Sequence, residues 1–387
     1  MTKLGHYLGS SRISRHDVPN SQSALHYIPL VNHIRSILKG SEREKCEVII
    51  VYTLNRYSEI TNIDGETKLI YDRYSGQALN TLTRILFWSK DSRTAMRAFA
   101  KIFAELAIVA GDGAGAIAGA LSSSKLNKFW KIPPAGGSQA VSTQVYLQEF
   151  FVFAHEYCHM VMASNPEFRE SRRRVGNILI ESMEYDESHE SYKRFAEHYP
   201  GMESYEVWRD VGRRHQSFIL SHKTELCDEL ACDDFALNLL VEHCMRQSIA
   251  VKYAFVASFL ALRNIRTISY IRISANPLLS RSKLDQALPV LLLQARQHLL
   301  RNGYTLVAKA RGVEADLQNV MDDMIALSDL HDKQIDNPLL EEGLDRLHKA
   351  RDLVVSSGED FGILKAFEIA RTLGWDPDAD TINYLSI

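Results

Sequence analysis

Ser142 to Ser164 reads STQVYLQEFFVFAHEYCHMVMAS, and the rest of the chain is read outward from it. Ser142 or Thr143 can cap a helix start, because a short side-chain oxygen accepts a hydrogen bond from a first-turn N–H that lacks a partner. Asn165-Pro166 stops the segment, since proline disfavours helical geometry in the residue before it. Between these ends Val145, Leu147, Phe150, Phe151, Phe153 and Ala154 form an apolar body, so the spacing predicts a buried helix.

Within it lies His155-Glu156-Tyr157-Cys158-His159. Residues four apart share a helix face, so both imidazoles can reach one zinc ion. Glu156, one position round, can reach a water on that metal and serve as general base. In a chain with 14 His the pattern arises by chance at roughly a few per cent, so the spacing alone is suggestive. Two imidazoles and a carboxylate amid apolar residues are costly to bury without a partner, which favours the metal. Cys158 falls where the buried side needs a small apolar residue and reads as packing.

A catalytic zinc usually takes three protein ligands and keeps one position for water. Thr224 to Cys244, TELCDELACDDFALNLLVEHC, predicts a second helix with Thr224 as cap and acidic residues in its first turn. Glu229 and Asp233 lie four apart on one face. Glu229 can ligate the metal, and Asp233 can accept the second ring N–H of a ligand His and fix its tautomer. Glu225 and Asp228 are rival ligands, and acidic clusters are ordinarily solvated faces. Leu230, Phe235, Ala236 and Leu239 anchor this helix in the core. Cys227 and Cys232 are too irregularly spaced for a zinc ribbon.

His-Glu-x-x-His on one helix and Glu-x-x-x-Asp on a later one resemble the gluzincin type of zinc metallopeptidase. Glu229-Leu230-Ala231-Cys232-Asp233-Asp234-Phe235-Ala236 is similar to the E-x-x-A-D-x-x-A stretch of the CAAX prenyl protease and HtpX-like families. It is similar also to that of soluble bacterial peptidases of the ImmA/IrrE and Lit types, with Cys232 in place of the usual Ala. The resemblance covers these two short helices. It supports Glu229 as third ligand and implies a zincin-like core that hydrolyses peptide bonds. Some of these families carry a downstream His-Pro and Arg, from which Asn276-Pro277 with Arg281 departs.

The 387 residues are 45% hydrophobic and 24% charged, enough to bury a substantial core. A net charge of -3 offers no overall attraction for a polyanion, so nucleic acid is not an expected partner. Five scattered cysteines and an N-terminus without an apolar signal core lead us to expect a reducing cytoplasm. Ile249 to Leu262 is interrupted by Lys252 and too short to cross a bilayer unaided. Ala98 to Leu121 suits a close-packed helix followed by a flexible loop, and no membrane span is expected. No phosphate-binding loop or Gly-x-Ser-x-Gly nucleophile motif competes with the zinc site.

The expected fold is α+β and predominantly helical, a zincin-like core with a small sheet and additional C-terminal helices. Residues 1–90 contribute the sheet, 91–288 the catalytic core with a charged insertion at about 166–223, and 289–387 a helical region. Cys46 to Leu54 and Thr67 to Tyr71 predict two paired strands, the second preceded by the turn signal at 62–65. The first is the candidate strand for a sheet whose edge could align a substrate. The insertion carries the basic run Arg172 to Arg174 and aromatics such as Tyr192, Tyr205 and Trp208. It reads either as a cover that selects substrates or as a solvated helical insertion, and His189, His198, His215 and His222 are not assigned to the metal. The C-terminal third predicts helices over Pro289 to Asn302 and Leu364 to Leu373, with breaks at Gly303, Asn337-Pro338 and Gly358. The expected function is zinc-dependent hydrolysis of an intracellular protein or peptide. The alternative is a non-catalytic regulatory or partner-binding protein on the same scaffold, and a regulatory protein partner suits either.

Overall fold

Apolar residues at helical spacing dominate the chain, and it folds as a predominantly helical protein with one small sheet. The computed structural model describes residues 15–16, 22–37, 47–52, 58–63, 66–89, 91–123, 137–182, 187–198, 204–275 and 288–358. The strands are β1 (Arg15–His16), β2 (Glu47–Tyr52), β3 (Ser58–Ile63) and β4 (Glu66–Asp72). The first helices are α1 (Gln22–Ile37), α2 (Arg73–Trp88), α3 (Ser92–Ala110), α4 (Gly113–Ser123), α5 (Gly137–Ser164) and α6 (Pro166–Glu181). There follow α7 (His189–His198), α8 (Tyr205–Ser221), α9 (Lys223–Arg246), α10 (Lys252–Ser274), α11 (Leu288–Arg311), α12 (Glu314–His331) and α13 (Leu344–Ser356). None of the described helices is long and apolar enough to cross a membrane.

The strand order is β1-β2-β4-β3. The two expected strands pair directly and in parallel, with Ile49 opposite Ile70, while β3 runs antiparallel to β4 with Ile60 opposite Leu69. The turn signal thus belongs to a β3–β4 hairpin whose first strand, SEITNI, the sequence reading did not assign. Cys46 to Leu54 supplies the expected strand of the sheet as β2, which is paired on both sides, by β1 and by β4. The edge beside the long helix is β3.

Helix α5 runs through the middle, packed on α9, α10, α2, α6 and the sheet. It is apolar almost all round, which is what a helix enclosed by others requires. It begins at Gly137 rather than at Ser142 because Val141 and Val145 bury against Trp88. Asn165 ends it and starts α6, its side chain accepting from the Phe168 N–H at 3.0 Å with Pro166 in the first turn. Gly176 lets α6 lie on α9, since a Cβ there would stand 2.2 Å from the Cys227 carbonyl oxygen.

Three punctuation marks fell differently from expectation. After α3 comes a second helix, α4, instead of a flexible loop; Gly111 at φ 81 closes α3, and Asp112 Oδ1 accepts from Gly115 N to start α4. Gly303 lies inside α11, where burial of Leu299, Leu300, Tyr304 and Val307 outweighs the helix penalty of one glycine, about 1 kcal/mol. Asn337-Pro338 sits in a wide helical turn, with Asn337 N–H reaching the Asp332 carbonyl. The expected helix at Leu364 to Leu373 lies outside the described residues.

At the far end of α9, His243 is 3% exposed, its ring 4.7 Å from Phe150 and 4.5 Å from His33 of α1. Among the described residues neither of its ring nitrogens has a hydrogen-bond partner. Burial, reinforced by His33, pushes its pKa down to about 4. The unfolded chain takes up a proton below about 6.5 and the folded chain only near 4, so this contribution is full above 6.5 and lost as pH falls towards 4. Urea unfolding at pH 7 and pH 5 should show His243→Phe escaping a loss on the order of 2 kcal/mol suffered by the unsubstituted protein. Equal losses in both would contradict this assignment.

Candidate metal centre

Helices α5, α9 and α11 converge on one cavity of about 290 Å3, lined by His155, Glu156, His159, Glu229 and Arg296 among others. The 3.6-residue period places His155 and His159 one turn apart, with Nε2 atoms 3.1 Å from each other. Glu229 faces them from α9, with Oε2 3.5 Å from His155 Nε2 and Oε1 3.3 Å from His159 Nε2. One ligand atom from each of the three residues lies within 4.8 Å of the other two, and the cluster could hold a metal ion.

Asp233, fully buried one turn after Glu229, lies 2.9 Å from His155 Nδ1. An imidazole that donates Nδ1–H to a carboxylate presents the lone pair of Nε2, the atom that faces His159 and Glu229. Of the rival ligands, Glu225 is exposed, and Asp228 is occupied by Arg173, at 2.5 Å and 2.9 Å, and by Arg169 at 3.1 Å. The basic run at 172–174 thereby acts largely as a clasp between α6 and α9. Arg172 lies over the rings of Phe168 and Phe235 and 3.7 Å from Asp234. Cys158 is buried with Sγ 3.8 Å from Met162 Sδ, and Cys232 Sγ lies 3.6 Å from the same sulfur, so both pack the helix interface. Asn276-Pro277 and Arg281 lie outside the described residues.

One member of the centre escaped the sequence reading. Arg296 of α11 places Nη1 2.6 Å from Glu229 Oε2, and its Nε and Nη2 bind Asp233 at 2.9 Å and 2.7 Å. Its position carried a signal: it stands four residues after Leu292 and four before Leu300, on the buried face of the helix. An arginine largely withdrawn from water demands carboxylate partners, but helical spacing does not say which.

Charge sets the proton inventory. Burial raises the Glu229 and Asp233 carboxyls, but Arg296 and the imidazoles outweigh it, holding Glu229 well below the usual range and Asp233 below it too. For His155, burial and Arg296 lower the pKa, but Asp233 and Glu229 reverse this and raise it to about 10 in the metal-free cluster. Glu156 is raised by burial, against the opposing pull of both imidazoles. A carboxylate shifted upward is a better proton acceptor, the property a general base needs.

Compared with protein-family models, curated proteins and solved structures, the chain gives no match.

Elemental analysis of the purified protein should find one metal ion per chain, lost in His155→Ala, His159→Ala and Glu229→Ala and kept in Glu225→Ala. Arg296→Met, which leaves the ligand atoms in place but frees Asp233 and Glu229, should weaken metal affinity about 10 to 100-fold in a chelator competition. Stoichiometric metal in all three ligand variants would refute the centre.

Proposed function

We propose that this chain is a zinc-dependent peptidase of the zincin type that cleaves an intracellular protein or peptide. The observation that carries the reading is the closed triangle of two imidazoles and one carboxylate with a fourth group, Glu156, in the same cavity. For bonds of about 2.0–2.1 Å to zinc, the edges of a tetrahedron are about 3.3–3.4 Å. The two imidazole Nε2 atoms, 3.1 Å apart, stand close to that figure, and each has one Glu229 oxygen near it, Oε1 at 3.3 Å from His159 and Oε2 at 3.5 Å from His155. Two nitrogens and one oxygen are also the donor set of a catalytic zinc rather than of a hard oxygen-bound cation.

Zinc held there supplies a Lewis acid that acidifies water and polarises a carbonyl oxygen. Glu156 takes the proton from the attacking water and later delivers it to the leaving amine. Asp233 keeps His155 in one tautomer, and Arg296 fixes Asp233 and Glu229. An extended peptide has a natural rail in β3, the edge strand whose first residue, Ser58, lines the cavity. Cys158, Cys227, Cys232 and Cys244 are buried free thiols, in keeping with a reducing compartment.

Glu156→Gln should keep its metal and its thermal unfolding profile but lose hydrolysis by about 100-fold or more, since the amide removes the base and no ligand. Comparing protein fragments in cells that express the unsubstituted chain or Glu156→Gln reads this directly. Identical fragment patterns would instead favour a non-catalytic binding protein on the same scaffold.

A further inference from the structure

The two oxygens of Glu229 do not stand in equivalent surroundings. Oε2 lies in ion-pair contact with Arg296 Nη1 at 2.6 Å and 3.5 Å from His155 Nε2, whereas among the described residues Oε1 meets only His159 Nε2, at 3.3 Å. Arg296 is not free to leave Oε2. Its Nε and Nη2 donate to Asp233, at 2.9 Å to Oδ2 and 2.7 Å to Oδ1, and that carboxylate is fully buried. A guanidinium is planar, so fixing two of its nitrogens fixes the direction of the third. The arginine side chain is 12% exposed and that of Glu229 32%, so the contact forms largely out of water, where opposite charges attract more strongly.

A carboxylate can bind a metal through one oxygen or through both. The choice decides what kind of centre this is. With both oxygens of Glu229, two imidazoles and the carboxylate give four protein donors, the number of a closed structural zinc site; with one they give three and leave a position for water. Building on the zinc reading of the cluster, we propose that Arg296 withholds Oε2 from the metal, so that Glu229 binds through Oε1 alone and the centre stays open. A cation drawn to Oε2 would stand against the positive Nη1, and Oε2 could turn to it only by breaking that ion pair. Arg296 is thus a positioning residue. It acts on the metal through Glu229, beside its separate hold on Asp233 and, through Asp233, on His155.

The test compares the unsubstituted protein with Arg296→Met and Asp233→Asn, loaded with zinc for crystallography and with Co(II) for visible absorption. Zinc-loaded crystals of the unsubstituted protein should show Glu229 bound through Oε1, with Oε2 still on Arg296, and those of Arg296→Met should show both oxygens on the metal. In solution, imidazole added to the Co(II)-loaded protein should enter the open position and shift the visible spectrum. Its affinity should fall about tenfold in Arg296→Met, where the second oxygen competes for that position. Asp233→Asn should weaken metal affinity through His155 yet keep one-oxygen binding and the imidazole response, because Arg296 still meets Glu229. Should Arg296→Met fold poorly, Arg296→Gln, which leaves Asp233 a donor, serves the same comparison. Two bound oxygens in the unsubstituted protein, or one in both it and the Arg296 variant, would overturn this role and leave the metal centre standing. Failure of the unsubstituted protein to take up either ion would overturn the zinc reading, and this one with it.

Discussion

The guanidinium of Arg296 is the charge on which the centre depends. Asp233 is fully buried and Glu229 half-buried beside two imidazoles, and burial pushes such carboxyls towards the protonated form unless a fixed cation opposes it. Arginine cannot give up its own proton, so its fork sets their state. It holds Asp233 through two nitrogens and Glu229 through the third. An ionised Asp233 in turn holds His155 Nδ1, which turns Nε2 towards the cavity. Removing one partner from such a buried set costs about 3–5 kcal/mol, comparable with a large part of the 5–15 kcal/mol that holds an average domain together.

The frame around this charge is built to stop α5 from turning. On the turns before His155, Glu149 accepts hydrogen bonds from Tyr27 at 2.8 Å and Tyr71 at 3.2 Å. Its neighbour Gln148 donates to Thr83 at 3.1 Å and accepts from Asn264 at 2.9 Å, and Asn264 meets His331 at 3.2 Å. These bonds tie α5 to α1, the sheet, α2, α10 and α12. A rotation of α5 would break them in an interior that offers no water in exchange. The clasp of Arg169 and Arg173 on Asp228 secures α9 from the other side. The side chains of a candidate metal centre keep their geometry better on helices braced in this way than on loops.

Under the proposed reading, the same arrangement divides labour among neighbouring groups with little overlap. Histidine and Glu229 side chains supply donors, Glu156 moves the proton, and the β3 edge meets the substrate. The apolar wall of Val152 and Ile265 separates these polar functions from the core. It also lowers the local dielectric, which strengthens each of the electrostatic interactions inside.

The sequence by itself determined which parts of this protein are local. His155, Glu156 and His159 were legible because a helix fixes the relation of residues four apart, and the same spacing put Glu229 and Asp233 on one face, whereas preferring Glu229 to Glu225 rested also on the resemblance. The buried character of α5 and α9 followed from their apolar residues, and two of the four strands among the described residues from runs of β-branched residues. The short alternating strand β3 and the role of Arg296 were not legible in that way. The tertiary structure decided that Asp228 belongs to the α6 clasp and that Glu225 faces away. It also decided that β3, not β2, is the edge at the cavity, and that α11 brings a cation to the two carboxylates of α9. The physical reason is that these contacts join residues tens of positions apart. Helical periodicity puts Arg296 on the inward face of its helix, but only the packing of α11 on α9 says which carboxylates neutralise it.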